Sequence, residues 1–143
     1  MTNVKSIAAV CLSLAVFVPS AALSWRAWNR HEVLPVSNGV YEVVSEVGYG
    51  TGATDYWCGI GDYAQRQLRA GATQRIYIWK AVGPSVNRPG RKAVQFSLSA
   101  PSGANTSPGY SVSVKRVGDN MTVSMAQNYC QDQRVDNLRF QNG

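Results

Sequence analysis

The chain has 143 residues, of which 45% are hydrophobic and 15% charged, and its formal net charge is +6 at pH 7. This composition excludes a disordered polypeptide, and the length suits one domain with one small core. With His31 as the only histidine, any metal site would need carboxylate or thiolate ligands, and we expect neither a metal nor a cofactor.

The first 24 residues have the pattern of a cleaved signal peptide. A lysine precedes an almost uninterrupted apolar run over residues 7–18, and Ala22 and Ser24 are small residues where a signal peptidase reads the chain. The run is shorter than the roughly 20 residues that span a bilayer. We therefore expect cleavage after Ser24, with Ala22 as the competing site. The mature protein would be a periplasmic or secreted single domain over residues 25–143, with no transmembrane segment.

The three cysteines divide between the leader and the mature chain. Cys11 lies within the apolar run; its lipidation is the alternative, but a lipid-modified cysteine ends such a run, whereas most of this one follows Cys11. Cys58 and Cys130 remain as an even pair in a chain bound for an oxidising compartment. We predict that they form a disulfide. The closed loop of about 70 residues would stabilise the fold by roughly 4 kcal/mol through chain entropy.

Next to the new N-terminus lies a short amphipathic segment. Trp25 and Trp28 alternate there with Arg26 and Arg30. Such a segment either lies on a membrane surface or a partner, or folds back onto the sheet. We favour the folded-back arrangement.

A strand and a helix are predicted in the first half of the mature chain. A turn at residues 38–39 precedes a strand rich in Val and Tyr over residues 40–47. From Asp55 the apolar residues recur at spacings of three and four, which predicts a helix that Thr54 or Asp55 caps and Gly71 ends. Two glycines in its first turns weaken this helix, so packing and the disulfide would have to stabilise it.

The second half of the chain alternates with a period of two. Strands are predicted over residues 75–81 and 94–98, followed by a hairpin that joins residues 110–115 to residues 121–125 across a turn at 118–120. A sheet with one polar face is usually antiparallel and covered on its other face. We predict an α+β fold with one helix packed on an antiparallel sheet of about five strands, stapled by one disulfide.

Basic residues dominate the middle of the chain, where no carboxylate occurs between Asp62 and Asp119. Within this interval, a loop over residues 83–92 combines flexible glycines with three cations, which suits an anion held by guanidinium forks and N–H groups. It lacks the spacing of a P-loop, and its prolines remove N–H donors. An ordinary hairpin connection, with cations scattered over several faces, is the alternative. The anion-binding residues we predict are Arg88, Arg91 and Lys92.

Enzymatic chemistry has weaker support in the sequence. No nucleophile motif accompanies His31. Asp55 and Asp62 are seven residues apart, which places them on one face of a helix at about 10 Å, the far end of the range for an acid–base pair. We favour the alternative, in which Asp55 caps the helix and Asp62 is a solvated side chain. Cys58 near a helix start would have a lowered thiol pKa, but its expected pairing opposes this role. A small enzyme using Cys58 or Asp55 remains the alternative function.

Two segments carry a resemblance to known proteins. Residues 25–36, WRAWNRHEVLPV, and residues 55–64, DYWCGIGDYA, resemble segments of small exported proteins of marine alphaproteobacteria that carry no assigned function. The similarity covers most of the mature chain. It implies a bacterial periplasmic or secreted origin and supplies no catalytic residues.

Together these features predict a non-enzymatic, exported binding module. Its basic surface would engage an anionic envelope component or an acidic protein, because a field of one sign attracts anionic partners in a salt-dependent way. Nucleic acid is not an expected partner in the exported compartment.

Overall fold

The structure is a computed structural model that describes residues 23–46, 51–109 and 112–141, with side chains described up to residue 133. The predicted signal peptide over residues 1–24 and its cleavage site therefore lie almost entirely outside the described residues. Six strands and two helices follow along the chain: β1 (Trp25–Arg26), β2 (Glu32–Ser37), β3 (Val40–Val44), α1 (Ala53–Arg66), β4 (Arg75–Pro84), β5 (Lys92–Ser97), β6 (Asn120–Thr122) and α2 (Val123–Gln141).

The strands form one antiparallel sheet in the order β1-β2-β3-β5-β4-β6, and the helices pack on one face of it. The predicted α+β class is confirmed, with six strands in place of about five and two helices in place of one. The predicted turn at residues 38–39 joins β2 to β3, and Gly39 has a φ of 73°, a conformation that glycine adopts without strain.

The core lies between the sheet and α1. Trp57, Ile60 and Ala64 recur along α1 at helical spacing and are buried against alternate residues of the central strands, such as Ile78 and Phe96. Because these residues follow the period of their own element, the two faces of the core were predictable from the sequence.

The predicted Cys58–Cys130 disulfide is confirmed. It joins α1 to α2 with a Cα–Cα distance of 4.8 Å, and both cysteines are buried. The staple therefore connects the helix that covers the sheet to the helix that ends the described chain.

The predicted hairpin between residues 110–115 and 121–125 is wrong. The described part of this segment does not turn back on itself but continues along the edge of β4. The N–H of Val82 donates to the carbonyl of Val114, the N–H of Gly118 donates to Ile78, and β6 completes the pairing. The glycine-containing segment predicted as a turn is an irregularity in this edge.

Residues after Thr122 form a helix where a strand was predicted. Met121, Val123 and Met125 alternate in sequence as in a strand, yet Met125 is 52% exposed. The buried residues are Val123, Ala126 and Cys130, at spacings of three and four, which is the helical period. The short apolar run is compatible with the two-residue period of a strand and with the helical period, and the helix forms because it packs against α1.

The close approach of the two helices explains why α1 has a glycine at position 61, where the sequence favours a stronger helix former. A Cβ atom at Gly61 would lie 2.7 Å from the Cβ of Ala126 and 2.8 Å from the backbone nitrogen of Gln127. Neither distance is sterically allowed, so α1 carries a glycine where α2 crosses it.

We expect the Gly61→Ala substitution to lower the free energy of unfolding by about 1–3 kcal/mol in urea denaturation. The helix gains up to about 1 kcal/mol of propensity, but overpacking against a backbone atom costs more. Gly71→Ala is the control, because a Cβ there meets no atom within 4 Å. Equal stability of the two variants would show that the helices are not in close contact at residue 61.

Candidate anion-binding site

The turn between β1 and β2 is held against α1 by hydrogen bonds that the turn donates to the helix. The backbone N–H of Trp28 donates to Asp62 Oδ2 at 2.8 Å, and Asn29 Nδ2 donates to the carbonyl oxygen of Asp55 at 2.7 Å. The turn itself closes through the N–H of Ala27, which donates to the carbonyl of His31 at 2.8 Å. These contacts fix the position of the turn and therefore of Arg26 and Arg30, which flank it.

Asp62 does not have the solvated side chain predicted from the sequence. Only 5% of the residue is exposed, and its carboxylate binds Arg66 as well as the backbone of Trp28. A carboxylate that faces solvent on an isolated helix becomes buried here because the N-terminal segment covers it. Trp25 packs edge-on against Tyr63 with ring centroids 5.4 Å apart, so the folded-back arrangement is confirmed.

Asp55 supports the start of α1 from the third helical position. Gly52 occupies the N-cap, and its N–H donates to Asp55 Oδ2 at 2.7 Å. The predicted role at the helix start holds, although the capping residue itself is Gly52 rather than Thr54 or Asp55. Since Cys58 is in a disulfide, this helix start offers no free thiol.

The basic loop between β4 and β5 folds over the sheet and is anchored by a buried carboxylate. Glu42 of β3 is fully buried and accepts hydrogen bonds from Ser85 Oγ at 2.7 Å and from the N–H groups of Asn87 at 2.9 Å and Val86 at 3.1 Å. Burial alone would raise the pKa of Glu42, but these hydrogen bonds outweigh it and hold the pKa below its ordinary value. The loop is therefore fixed while it carries its cations.

Two of the loop cations reach Glu32 of β2. Arg88 binds it through both arms of the guanidinium, with Nε–Oε2 at 2.8 Å and Nη2–Oε1 at 2.6 Å, while Arg91 Nη1 lies 3.9 Å from Oε2. The hydrogen bond from Arg88 lowers the pKa of Glu32, and Glu32 in turn raises the pKa of Arg88. Such bidentate pairing keeps Arg88 in one orientation.

A second carboxylate holds the arginines of the N-terminal hairpin. Glu46, which follows β3, lies 3.5 Å from Arg26 Nη1 and 3.7 Å from Arg30 Nε. Both arginine side chains are largely exposed, at 62% and 59%. These are loose surface ion pairs, which contribute little to stability and leave the guanidinium groups accessible.

The two sets of charges meet around an open cavity of about 220 Å³. We call this site the arginine pocket; it is lined by Arg26, Arg30, Glu32, Glu46 and Arg91, and Arg88 supports it by binding Glu32. Four guanidinium groups surround two carboxylates, so the site keeps an excess of positive charge. The arrangement can therefore bind an anion.

The structure places the three predicted residues differently from one another. Arg91 lines the arginine pocket and Arg88 adjoins it, whereas Lys92 begins β5 with an exposed side chain and does not line the cavity. Sequence reasoning missed Arg26 and Arg30 as binding residues. The alternation of arginines around the turn before Glu32 was visible, but their approach to the loop depends on contacts distant in sequence.

A larger cavity of about 530 Å³ lies beside the start of α1. Its walls are mostly apolar side chains and backbone, and Lys115 is the one charged side chain among the described residues that line it. With one described cation in its lining, it is a weaker candidate for anion binding than the arginine pocket.

His31 immediately precedes β2 in the hairpin of β1 and β2 and is buried, with 2% of its surface exposed. Within the described part of the chain, neither imidazole nitrogen has a hydrogen-bond partner. Burial lowers the pKa of His31; Asp55 and Glu46 oppose this shift, and Arg91 adds to it. The imidazole is therefore neutral at pH 7.

We expect acid destabilisation to begin with His31. The unfolded state takes up a proton near pH 6.5, whereas the folded state resists it until its lowered pKa is reached, so stability falls as the pH drops below about 6.5. The loss should approach about 1.4 kcal/mol per pH unit. The hydrogen bonds that Glu32 and Glu42 each accept stabilise the fold until the pH falls below 4.5, the ordinary pKa of a glutamate. The loss of stability caused by His31 therefore occurs at higher pH than the loss caused by the two glutamates. Denaturation of a His31→Leu variant between pH 7 and 5 should show no such loss; parallel curves for both proteins would contradict this account.

The fold and the pocket define a two-layer α+β protein with a charged cavity at the β1–β2–β3 end of its sheet. Comparison with protein-family models, with curated proteins and with solved structures finds no match to this chain. Among the described residues, no three His, Cys, Asp or Glu side chains come together in a group that could hold a metal ion. No helix in this part of the chain is both long and apolar enough to cross a membrane.

Proposed function

We propose that this protein is an exported, non-enzymatic binding module that captures anionic groups of the envelope, or of an acidic protein, in the arginine pocket. The observation that carries the proposal is the convergence of three arginines, from two distant segments of the chain, on one open cavity, next to which a fourth, Arg88, binds Glu32. The predicted basic surface around Arg88 and Arg91 is thus extended by Arg26 and Arg30.

Two buried carboxylates hold the segments that form this site. Glu42 fixes the loop that carries Arg88 and Arg91, and Asp62 fixes the hairpin that carries Arg26 and Arg30. Holding like charges close together costs electrostatic free energy. An anion that enters the cavity relieves that repulsion, which supports binding as the role of the site.

Chromatography on an anionic matrix tests the proposal with matched variants. The double variant Arg26→Gln, Arg30→Gln removes two pocket charges, and Lys80→Gln, Arg69→Asn removes two exposed charges outside the pocket lining. We expect the pocket variant to elute at clearly lower salt than the control variant, since a clustered site binds more strongly than scattered charges.

Reversal of the predicted loop residues is the stronger perturbation. The variant with Arg88, Arg91 and Lys92 changed to Glu should lose salt-sensitive capture, and circular dichroism would establish that it remains folded. If the reversed protein and the Arg26→Gln, Arg30→Gln protein are both retained like the control variant, the pocket is not the binding surface and the proposal is wrong.

A further inference from the structure

We propose that the arginine pocket takes a phosphate group in its dianionic form, that is, inorganic phosphate or a phosphate monoester. This inference rests on the proposed function and names the ligand class of the same site. It follows from the charge balance, the unused donors and the size of the cavity.

The charge balance of the site matches a doubly charged anion. Glu32 is shared by Arg88 and Arg91, and Glu46 is shared by Arg26 and Arg30. Each carboxylate neutralises one of its two guanidinium partners, so two positive charges remain. A dianion completes this balance, whereas a monoanion such as a carboxylate leaves one positive charge uncompensated.

The donors needed for a phosphate group are present at Arg26 and Arg91. The contact of Arg26 with Glu46, at 3.5 Å, and that of Arg91 with Glu32, at 3.9 Å, are ion pairs longer than a good hydrogen bond. Arg91 Nη2 donates to the carbonyl oxygen of Ser45, and its Nε is buried with no hydrogen-bond partner among the described residues, so Nη1 is the Arg91 group that can exchange its long ion pair for a phosphate oxygen. The exposed guanidinium fork of Arg26 can bind phosphate oxygens in a bidentate manner.

The cavity has room for a phosphate group. Its volume of about 220 Å³ admits such a group with part of its hydration. The carboxylates also disfavour a second negative group at the rim, since Glu32 and Glu46 line the same walls.

Isothermal titration calorimetry at pH 7.5 with small anions tests the ligand class. Methyl phosphate carries close to two charges at this pH, because the second pKa of a phosphate monoester is near 6, whereas dimethyl phosphate and acetate carry one. We expect inorganic phosphate and methyl phosphate to bind at least about tenfold more tightly than dimethyl phosphate or acetate. Arg26→Gln and Arg91→Gln should each weaken that binding, and Lys80→Gln should leave it unchanged.

Vesicles distinguish the two sources of the phosphate group. Phosphatidic acid in a phosphatidylcholine vesicle presents a monoester, and phosphatidylglycerol presents a diester. Capture by phosphatidic acid vesicles, and not by phosphatidylglycerol vesicles, identifies a lipid-borne phosphate. Calorimetric binding of methyl phosphate with no capture of either vesicle identifies a soluble one. Both results support the proposal.

Two results would overturn it, and they differ from each other. Equal affinity for methyl phosphate, dimethyl phosphate and acetate, still lost in Arg26→Gln, would refute the dianion while the anion-binding function stands. No binding of any small anion, together with equal salt elution of the pocket and control variants, would refute both.

Discussion

Replacing both Cys58 and Cys130 with alanine should lower the free energy of unfolding by about 4 kcal/mol. The two cysteines are 72 residues apart in sequence, so the disulfide restricts a long loop of the unfolded chain, and loops of this length carry chain-entropy effects of that size. A small domain has a total stability of roughly 5–15 kcal/mol, so the loss is a large fraction of that total.

Guanidinium chloride denaturation at 25 °C measures this loss, with the wild-type protein reduced and alkylated as a second route to the same state. Intact mass after alkylation, with and without prior reduction, establishes that the two thiols are paired before the comparison. A loss below about 1 kcal/mol would show that contacts between α1 and α2 hold the helices together without the staple.

Replacing Glu42 with alanine should cost about 3 kcal/mol and also weaken anion binding. Three donors, from Ser85, Val86 and Asn87, would lose an ionised acceptor in a buried site, and a hydrogen bond to a charged group is worth about 1.5–3 kcal/mol. The destabilisation is smaller than the sum of three such hydrogen bonds because the donors of the released loop can form hydrogen bonds with water. The same release removes Arg88 and Arg91 from the arginine pocket.

The conservative Glu42→Gln variant separates charge from shape, and Asp132→Asn is the control for the loss of one exposed carboxylate. We expect Glu42→Gln to be intermediate in both stability and phosphate affinity. Because the folded pKa of Glu42 is lowered, its contribution is present above about pH 4.5 and is lost as the pH falls through the folded pKa. If Glu42→Ala keeps wild-type phosphate affinity, the loop does not position the pocket.

Much of the scaffold is predictable from periodicity and cysteine parity. The helix around Ile60 and the strands around Ile78 and Phe96 follow because each buries one face at the period of its own geometry. The disulfide was predicted from the two cysteines outside the apolar N-terminal run, in a chain expected to be exported. α2 was missed because the apolar run around Val123 fits both a strand and a helix, and only tertiary packing distinguishes them.

The site is less predictable because its geometry depends on contacts distant in sequence. Trp28 and its partner Asp62 are 34 residues apart, and Arg88 is 56 residues from Glu32. No local pattern marks a carboxylate that will be buried by a distant segment, so Asp62 was interpreted as solvated. Both sets of arginines were visible in the sequence, but the approach of Arg26 and Arg30 to the basic loop was not.

The most direct test of the arginine pocket is a phosphate titration followed by the arginine Nε–H resonances in ¹⁵N-correlated NMR spectra. We predict saturable shifts for Arg26 and Arg91, which line the cavity, with no comparable shift for Arg69 on the exposed surface after α1. Small shifts of equal size at all arginines, linear in phosphate concentration, would show only general screening of charge and would contradict a binding site at this pocket.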